Sequence, residues 1–167
     1  MERVDGLELE QDLRFQRREW LVEYAGRLLL FVAFLAGLLG ILGGGPLSWG
    51  QARSADGRLL VRYPRFARLE TPARMSLEVD GSATRDGRFS LALPRSYLDE
   101  VDISNIVPLP SSARSEDGYT VFEFQVGRGV TRPEVIFSFQ FDRAGVASAE
   151  VLLNEGSRVS LKQIVWP

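Results

Sequence analysis

The sequence predicts a mainly β protein: an N-terminal transmembrane α-helix followed by an antiparallel β-sandwich of immunoglobulin-like size, with an open β-barrel as the alternative. Three observations lead there. Residues 28–52 contain no charged side chain. From about residue 57 onward, apolar and polar residues alternate with period two, the pattern of half-buried strands. The 167 residues include neither cysteine nor histidine, so strand packing must hold the domain without a disulfide or an imidazole–metal staple.

The uncharged stretch opens with LLLFVAFLAGLLGIL at 28–42. A helix rises 1.5 Å per residue, so about 20 apolar residues cross the roughly 30 Å hydrocarbon layer. Residues 28–47 supply that length, and a helix apolar on every side needs a bilayer or a larger domain around it. Trp20 and Tyr24 before the span and Trp49 after it are placed as interface anchors. Glu23 and Arg27, at i and i+4, can neutralise each other near the headgroups. Gly43, Gly44 and Gly45 followed by Pro46 are a helix stop. A cleaved signal peptide is the alternative, but its leader is short and basic. Here 27 residues with seven acidic groups precede the span, which favours an uncleaved signal anchor.

Inside the span, Ala36, Gly40 and Gly44 recur every four residues, a spacing that lets helix backbones approach closely. No ionisable residue interrupts it, which argues against a transporter or channel built from this chain alone. Residues 7–24 read as a helix leading into the membrane, with a broken stripe of Leu9, Leu13, Trp20 and Tyr24. The chain thus divides into a cytoplasmic tail and juxtamembrane helix (1–27), a transmembrane helix (28–47), a linker (48–56) and an extramembrane domain (57–167). Arg14, Arg17, Arg18 and Arg27 before the span tie with Arg53, Arg58, Arg62 and Arg65 after it. The tighter cluster in the short tail places the N-terminus in the cytoplasm and the large domain in the periplasm.

Seven strands are expected in the domain, around 58–63, 75–79, 89–93, 119–126, 135–141, 146–153 and 158–165. Phe122 and Phe124 form one inward stripe, and Val135, Phe137, Phe139 and Phe141 the strongest. Asp56-Gly57, Asp86-Gly87 and Asp117-Gly118 each sit just before a strand, as turn dipeptides do. Residues 142–145 and 154–157 read as hairpin connections that make the C-terminal part an antiparallel meander. A short helix capped by Ser96 is expected over 96–101, crossing between sheets. DGRLLVRYPR at 56–65 and DGRFSLALPR at 86–95 read as two strands with the same turn and the same proline ending, rather than as a duplication.

Chemistry is mostly excluded. Without cysteine or histidine there is no thiolate nucleophile, no imidazole base and no thiolate or imidazole metal site. The net charge is −2, and residues 53–167 carry fifteen basic and fifteen acidic side chains, so no basic field exists for nucleic acid. Asp99, Glu100 and Asp102 lack EF-hand spacing and read as a solvated turn rather than a calcium site. Ser160 and Lys162 share a strand face, but a Ser–Lys dyad needs a desolvated lysine, and a solvated outer position is the plainer reading. No cofactor and no small-molecule substrate is indicated. Arg62, Arg65, Arg68 and Arg74, interleaved with Tyr63 and Phe66, can contact anionic headgroups or a partner, although Glu70, Glu78 and Asp80 lie close enough in sequence to pair with them.

FQRREW at 15–20, a membrane helix, GGPLS at 44–48, Tyr63 and RFAR at 65–68 together resemble a group of uncharacterised bacterial single-pass membrane proteins. The likeness covers mainly the first 70 residues, with weaker echoes at Tyr97-Leu98 and 106–110. It implies a bacterial inner-membrane location and brings no activity or catalytic residue. The functional expectation is a membrane-anchored, non-enzymatic accessory or binding module that contacts another membrane protein. A structural envelope protein that self-associates through its transmembrane helix is the alternative.

Overall fold

The computed structural model describes residues 13–39, 48–127, 129–154 and 156–167, with side chains from residue 20. It divides into two compact units.

Leu13–Leu39 form one helix, α1, which accounts for the described residues of the first unit and ends just inside the second. Its stretch Trp20–Leu39 is long and apolar enough to cross a membrane. Leucine, valine and phenylalanine stand exposed all along it, as expected of a sequence apolar around the whole circumference. Trp20 and Tyr24 are exposed near its start, and Arg27 pairs with Glu23 at the expected i, i+4 spacing. Of the small-residue stripe, Ala36 lies on α1; Gly40 and Gly44 lie outside the described residues, as do residues 1–12 and the glycine–proline stop.

The second unit holds eleven strands among its described residues: β1 (Trp49–Arg53), β2 (Leu59–Pro64), β3 (Phe66–Arg68), β4 (Ala73–Val79), β5 (Arg88–Pro94), β6 (Val101–Val107), β7 (Ser112–Glu116), β8 (Tyr119–Gln125), β9 (Glu134–Phe141), β10 (Gly145–Leu153) and β11 (Ser157–Trp166). They form two sheets, ordered β1-β2-β4-β9-β6 and β3-β11-β10-β5-β8-β7. The pairing is antiparallel except where β3 runs parallel to β11. The sheets stay separate and do not close into a barrel, so the architecture is the β-sandwich rather than the alternative.

All seven expected strands form, as β2, β4, β5, β8, β9, β10 and β11. The other four lack a period-two stripe, each for its own reason. Residues 48–56, read as a linker, contain β1, hydrogen-bonded along its length to β2; the domain therefore begins before residue 57. Its covered positions hold only Gly50 and Ala52, too little apolar surface to register as a strand. Strand β3 is three residues long. A bulge between Ile103 and Asn105 breaks the alternation of β6. Strand β7 is exposed throughout and has no side chain directed at the core.

Two connections also differ from expectation. β9 belongs to the first sheet and β10 to the second, so residues 142–144 carry the chain between sheets and the meander shrinks to the β10–β11 hairpin. Alternation reports which residues face inward but not which sheet a strand joins. The short helix α2 spans Arg95–Leu98 and does cross from one sheet to the other, but Pro94 occupies its cap position and Ser96 does not cap it. The turn dipeptides behave as their chemistry requires. Asp86 and Gly87 both have positive φ, as do Asp117 and Gly118, the geometry of the twisted two-residue turn that asparagine, aspartate and glycine tolerate. The two Asp-Gly-Arg segments lead into β2 and β5, in different sheets.

Between the sheets lies a continuous apolar core. The ring of Phe122 on β8 meets Phe137 on β9 edge to face at 5.6 Å, and Phe89 stacks on Phe124 at 5.3 Å. Such pairs each contribute about 0.5–1.5 kcal/mol beyond their burial. Through this core runs one polar bridge. The Tyr97 hydroxyl donates to Oε1 of Gln163 at 2.8 Å, and Nε2 of Gln163 donates to the Pro64 carbonyl at 3.0 Å. Gln163 is completely buried, and burial pushes the Tyr97 hydroxyl well above the ordinary tyrosine range.

A second polar tie joins the sheets at the β1–β2 turn. Asp56 accepts hydrogen bonds from Ser157 at the start of β11 and from Ser54 at 2.6 Å, while Ser54 Oγ also accepts from the Leu59 amide at 3.0 Å. These bonds, Ser157 first and Ser54 second, hold the Asp56 carboxyl down at about 2.

Two outcomes follow for stability. Gln163→Leu strands the buried Tyr97 hydroxyl and Pro64 carbonyl, and should cost about 1–3 kcal/mol in chemical denaturation of the full chain in detergent; an unchanged midpoint would remove the bridge's role. Asp56 has a lowered native pKa, so its contribution is present above about pH 4 and fades as pH falls through about 2. Asp56→Asn should therefore flatten the loss of stability over that window, measured as denaturation midpoint against pH.

Candidate binding groove at the N-terminal pole

The domain's first described residue, Ser48, and the segment 64–72 share one end of the sandwich. There the chain leaves the first sheet at Pro64 and joins the edge of the second at Phe66. Three bonds fix this crossover: the Arg65 amide to the Ser48 carbonyl at 2.6 Å, the Ile164 amide to the Arg65 carbonyl at 2.8 Å, and Gln163 to the Pro64 carbonyl. The chain then turns back, with the Leu69 amide on the Trp166 carbonyl and the Glu70 amide on the Phe141 carbonyl. Glu70 adopts a positive φ at this corner, and β4 starts at Ala73.

The wrap leaves a groove of about 680 Å³, bordered by Trp49, Phe66, Arg68, Arg74, Ser104 and Ser138 among others. That volume lies within the range of about 300–1,000 Å³ common for small-ligand sites. Trp49, opposite Pro64 in the β1–β2 pairing, is 54% exposed. It also borders a smaller hollow of about 390 Å³ with Arg62 and Arg65. Gly50 is what lets Arg65 lie across β1, since a Cβ there would come within 2.7 Å of Arg65 Cγ. On the rim, Ser104 Oγ donates to the Ser138 carbonyl at 3.0 Å.

The arginine cluster divides. Arg62 pairs with Glu78 at 3.5 Å, and Arg132 reaches the same carboxylate at 3.5 Å. Arg65, Arg68 and Arg74 take part in no ion pair among the described residues. None of the twelve residues lining the larger groove is acidic. Glu70 is exposed on the wrap but is not part of that lining. Asp99, Glu100 and Asp102 belong to the α2–β6 side, where the Glu100 carbonyl accepts from the Asp142 amide and Asp102 accepts from Gln140 at 3.5 Å. Among the described residues no three carboxylates converge on a metal-sized space. Lys162 and Ser160 are both exposed on β11, in water rather than in the desolvated setting that dyad chemistry needs.

Of the residues singled out by sequence, the structure gathers Trp49, Arg65, Arg68 and Arg74 at one pole and turns Arg62 toward Glu78. It adds Ser104 and Ser138, outlying positions on β6 and β9 with no signal in the sequence. Guanidinium forks beside exposed aromatic faces can bind an anion bidentately.

No family model matches the sequence, and no curated protein matches it. Among solved structures, the chain is similar to a cohesin module from a family 33 glycoside hydrolase of Clostridium perfringens, at TM-score 0.49 and 6% identity, over 70% of this chain and 97% of that one. It is also similar to part of an alkylpurine DNA glycosylase of Pseudomonas fluorescens bound to DNA containing an abasic-site analogue, at TM-score 0.36 and 10% identity, over 72% of this chain and 30% of that one.

Proposed function

We propose that the chain is a single-pass, membrane-anchored, non-enzymatic binding module of a bacterial inner membrane. On this reading its N-terminus lies in the cytoplasm and its sandwich in the periplasm, where it contacts another membrane component. The observation that carries the proposal is the exposed apolar stretch Trp20–Leu39, joined through residues 40–47 to a charge-balanced sandwich. Exposed leucine and phenylalanine over that length need a hydrocarbon environment. Trp20 and Tyr24 at one end and Trp49 beyond the other suit the two interfaces, and the arginine-rich tail favours the cytoplasmic side for the N-terminus. The likeness of 15–20, 44–48 and 65–68 to bacterial single-pass proteins supports the same location. A domain whose distinctive surface is an arginine–tryptophan groove is suited to contact rather than to turnover.

The test has three readings on the intact chain. It should stay in membranes through alkaline carbonate extraction. A reporter fused after Pro167 should be active only in its periplasmic form. Purification in mild detergent should recover a stable membrane partner. Release by carbonate would overturn the anchor, a cytoplasmic reporter the orientation, and isolation as an unaccompanied monomer the accessory role.

A further inference from the structure

Resting on the reading of the chain as membrane-anchored, we propose that the N-terminal-pole groove binds the phosphate of an anionic phospholipid headgroup, gripped by Arg68 and Arg74 beside the Trp49 indole. Arg68 and Arg74 both border the groove, no carboxylate lines it, and neither guanidinium is paired among the described residues. The fold does pair exposed arginines where carboxylates are in reach: Arg62 and Arg132 with Glu78, and Arg114 with Glu116 and Glu123. Among the described residues, the positive charge at the groove is thus left without a carboxylate partner. A phosphate accepts from two guanidinium forks at once, which a ring of neutral donors does not match in strength.

The surroundings favour a lipid over a free anion. An inorganic phosphate needs charge and polar donors; this groove also presents the exposed Trp49 indole and the half-buried Phe66 ring. Next to it the second sheet continues an apolar row outward, with Phe66 beside Ile164 and Ile164 opposite Val146. Val146 is 59% exposed and Ile164 36%. Arginine with tryptophan and an aliphatic flank is the mixture that sits at the headgroup layer, where the charge meets phosphate and the rings meet the glycerol region. In sequence, Ser48 and Trp49 of the groove follow the apolar stretch after only residues 40–47.

The experiment uses the full chain in uncharged detergent with Trp20→Phe and Trp166→Phe, which leaves Trp49 as the sole tryptophan. Its emission is followed while short-chain phosphatidylglycerol is added, with phosphatidylcholine of the same chain length and inorganic phosphate in parallel arms. A saturable response to phosphatidylglycerol is expected, weakened at least about tenfold by Arg68→Gln with Arg74→Gln and to an intermediate degree by Arg68→Lys with Arg74→Lys, which keeps the charge but loses the forks. Phosphatidylcholine and inorganic phosphate should each bind more weakly. No saturable response, or one undiminished in the glutamine variant, would overturn the proposal. Inorganic phosphate binding as tightly as the lipid would overturn it too, reassigning the site to a free anion. A chain that resists carbonate extraction yet ignores phosphatidylglycerol fails here alone, whereas a chain released by carbonate fails the membrane reading beneath it.

Discussion

The buried side-chain amide of Gln163 holds together three parts of the chain at one point. Its nitrogen donates to Pro64 at the end of β2, its oxygen accepts from Tyr97 on α2, and its backbone belongs to β11. With no disulfide available, the sandwich depends on apolar packing for its energy and on such polar ties for its register. The tie at Pro64 matters most, because there the chain leaves one sheet for the other. Held at that carbonyl, with the Arg65 amide on Ser48 and the Arg65 carbonyl on Ile164, the crossover presents Phe66 and Arg68 beside Trp49 rather than elsewhere. The groove is a consequence of how the two sheets are stitched.

The same dependence explains what could be read from the sequence and what could not. Stripes such as Phe137, Phe139 and Phe141 announce themselves because every second residue must face a dry interior, and the seven strands so marked all form. Strands β1, β3 and β7 carry no such stripe, being an edge with Gly50 and Ala52 inward, a three-residue crossover, and a polar edge. The partner of β3, β11, lies far along the chain, whereas β1 and β7 pair with the strands that follow them but bury too little apolar surface to leave a local pattern. The passage of 142–144 between sheets was hidden as well: a short polar turn looks alike whether it closes a hairpin or changes layers.

The groove was legible in part. Arg65, Arg68 and Arg74 stand out by number, and Trp49 by its place after an apolar span. Which arginines are spent on carboxylates was not legible, because Glu78 is sixteen positions from Arg62 in sequence yet lies on the neighbouring strand, two residues from Ser76, which pairs with Arg62. Ser104 and Ser138 look like ordinary strand residues until β6 and β9 pair.

On the proposed reading, the pole bearing Trp49, Arg68 and Arg74 works at a bilayer surface. The most direct measurement reconstitutes the chain, with Trp49 as its sole tryptophan, into vesicles containing phosphatidylglycerol, and compares quenching of its emission by lipids labelled at the headgroup, lipids labelled deep in the acyl chain, and a water-soluble quencher. A groove seated at the headgroups gives strong quenching from the headgroup label, little from the deep label, and protection from the aqueous quencher relative to detergent. Quenching by the aqueous reagent alone would contradict it.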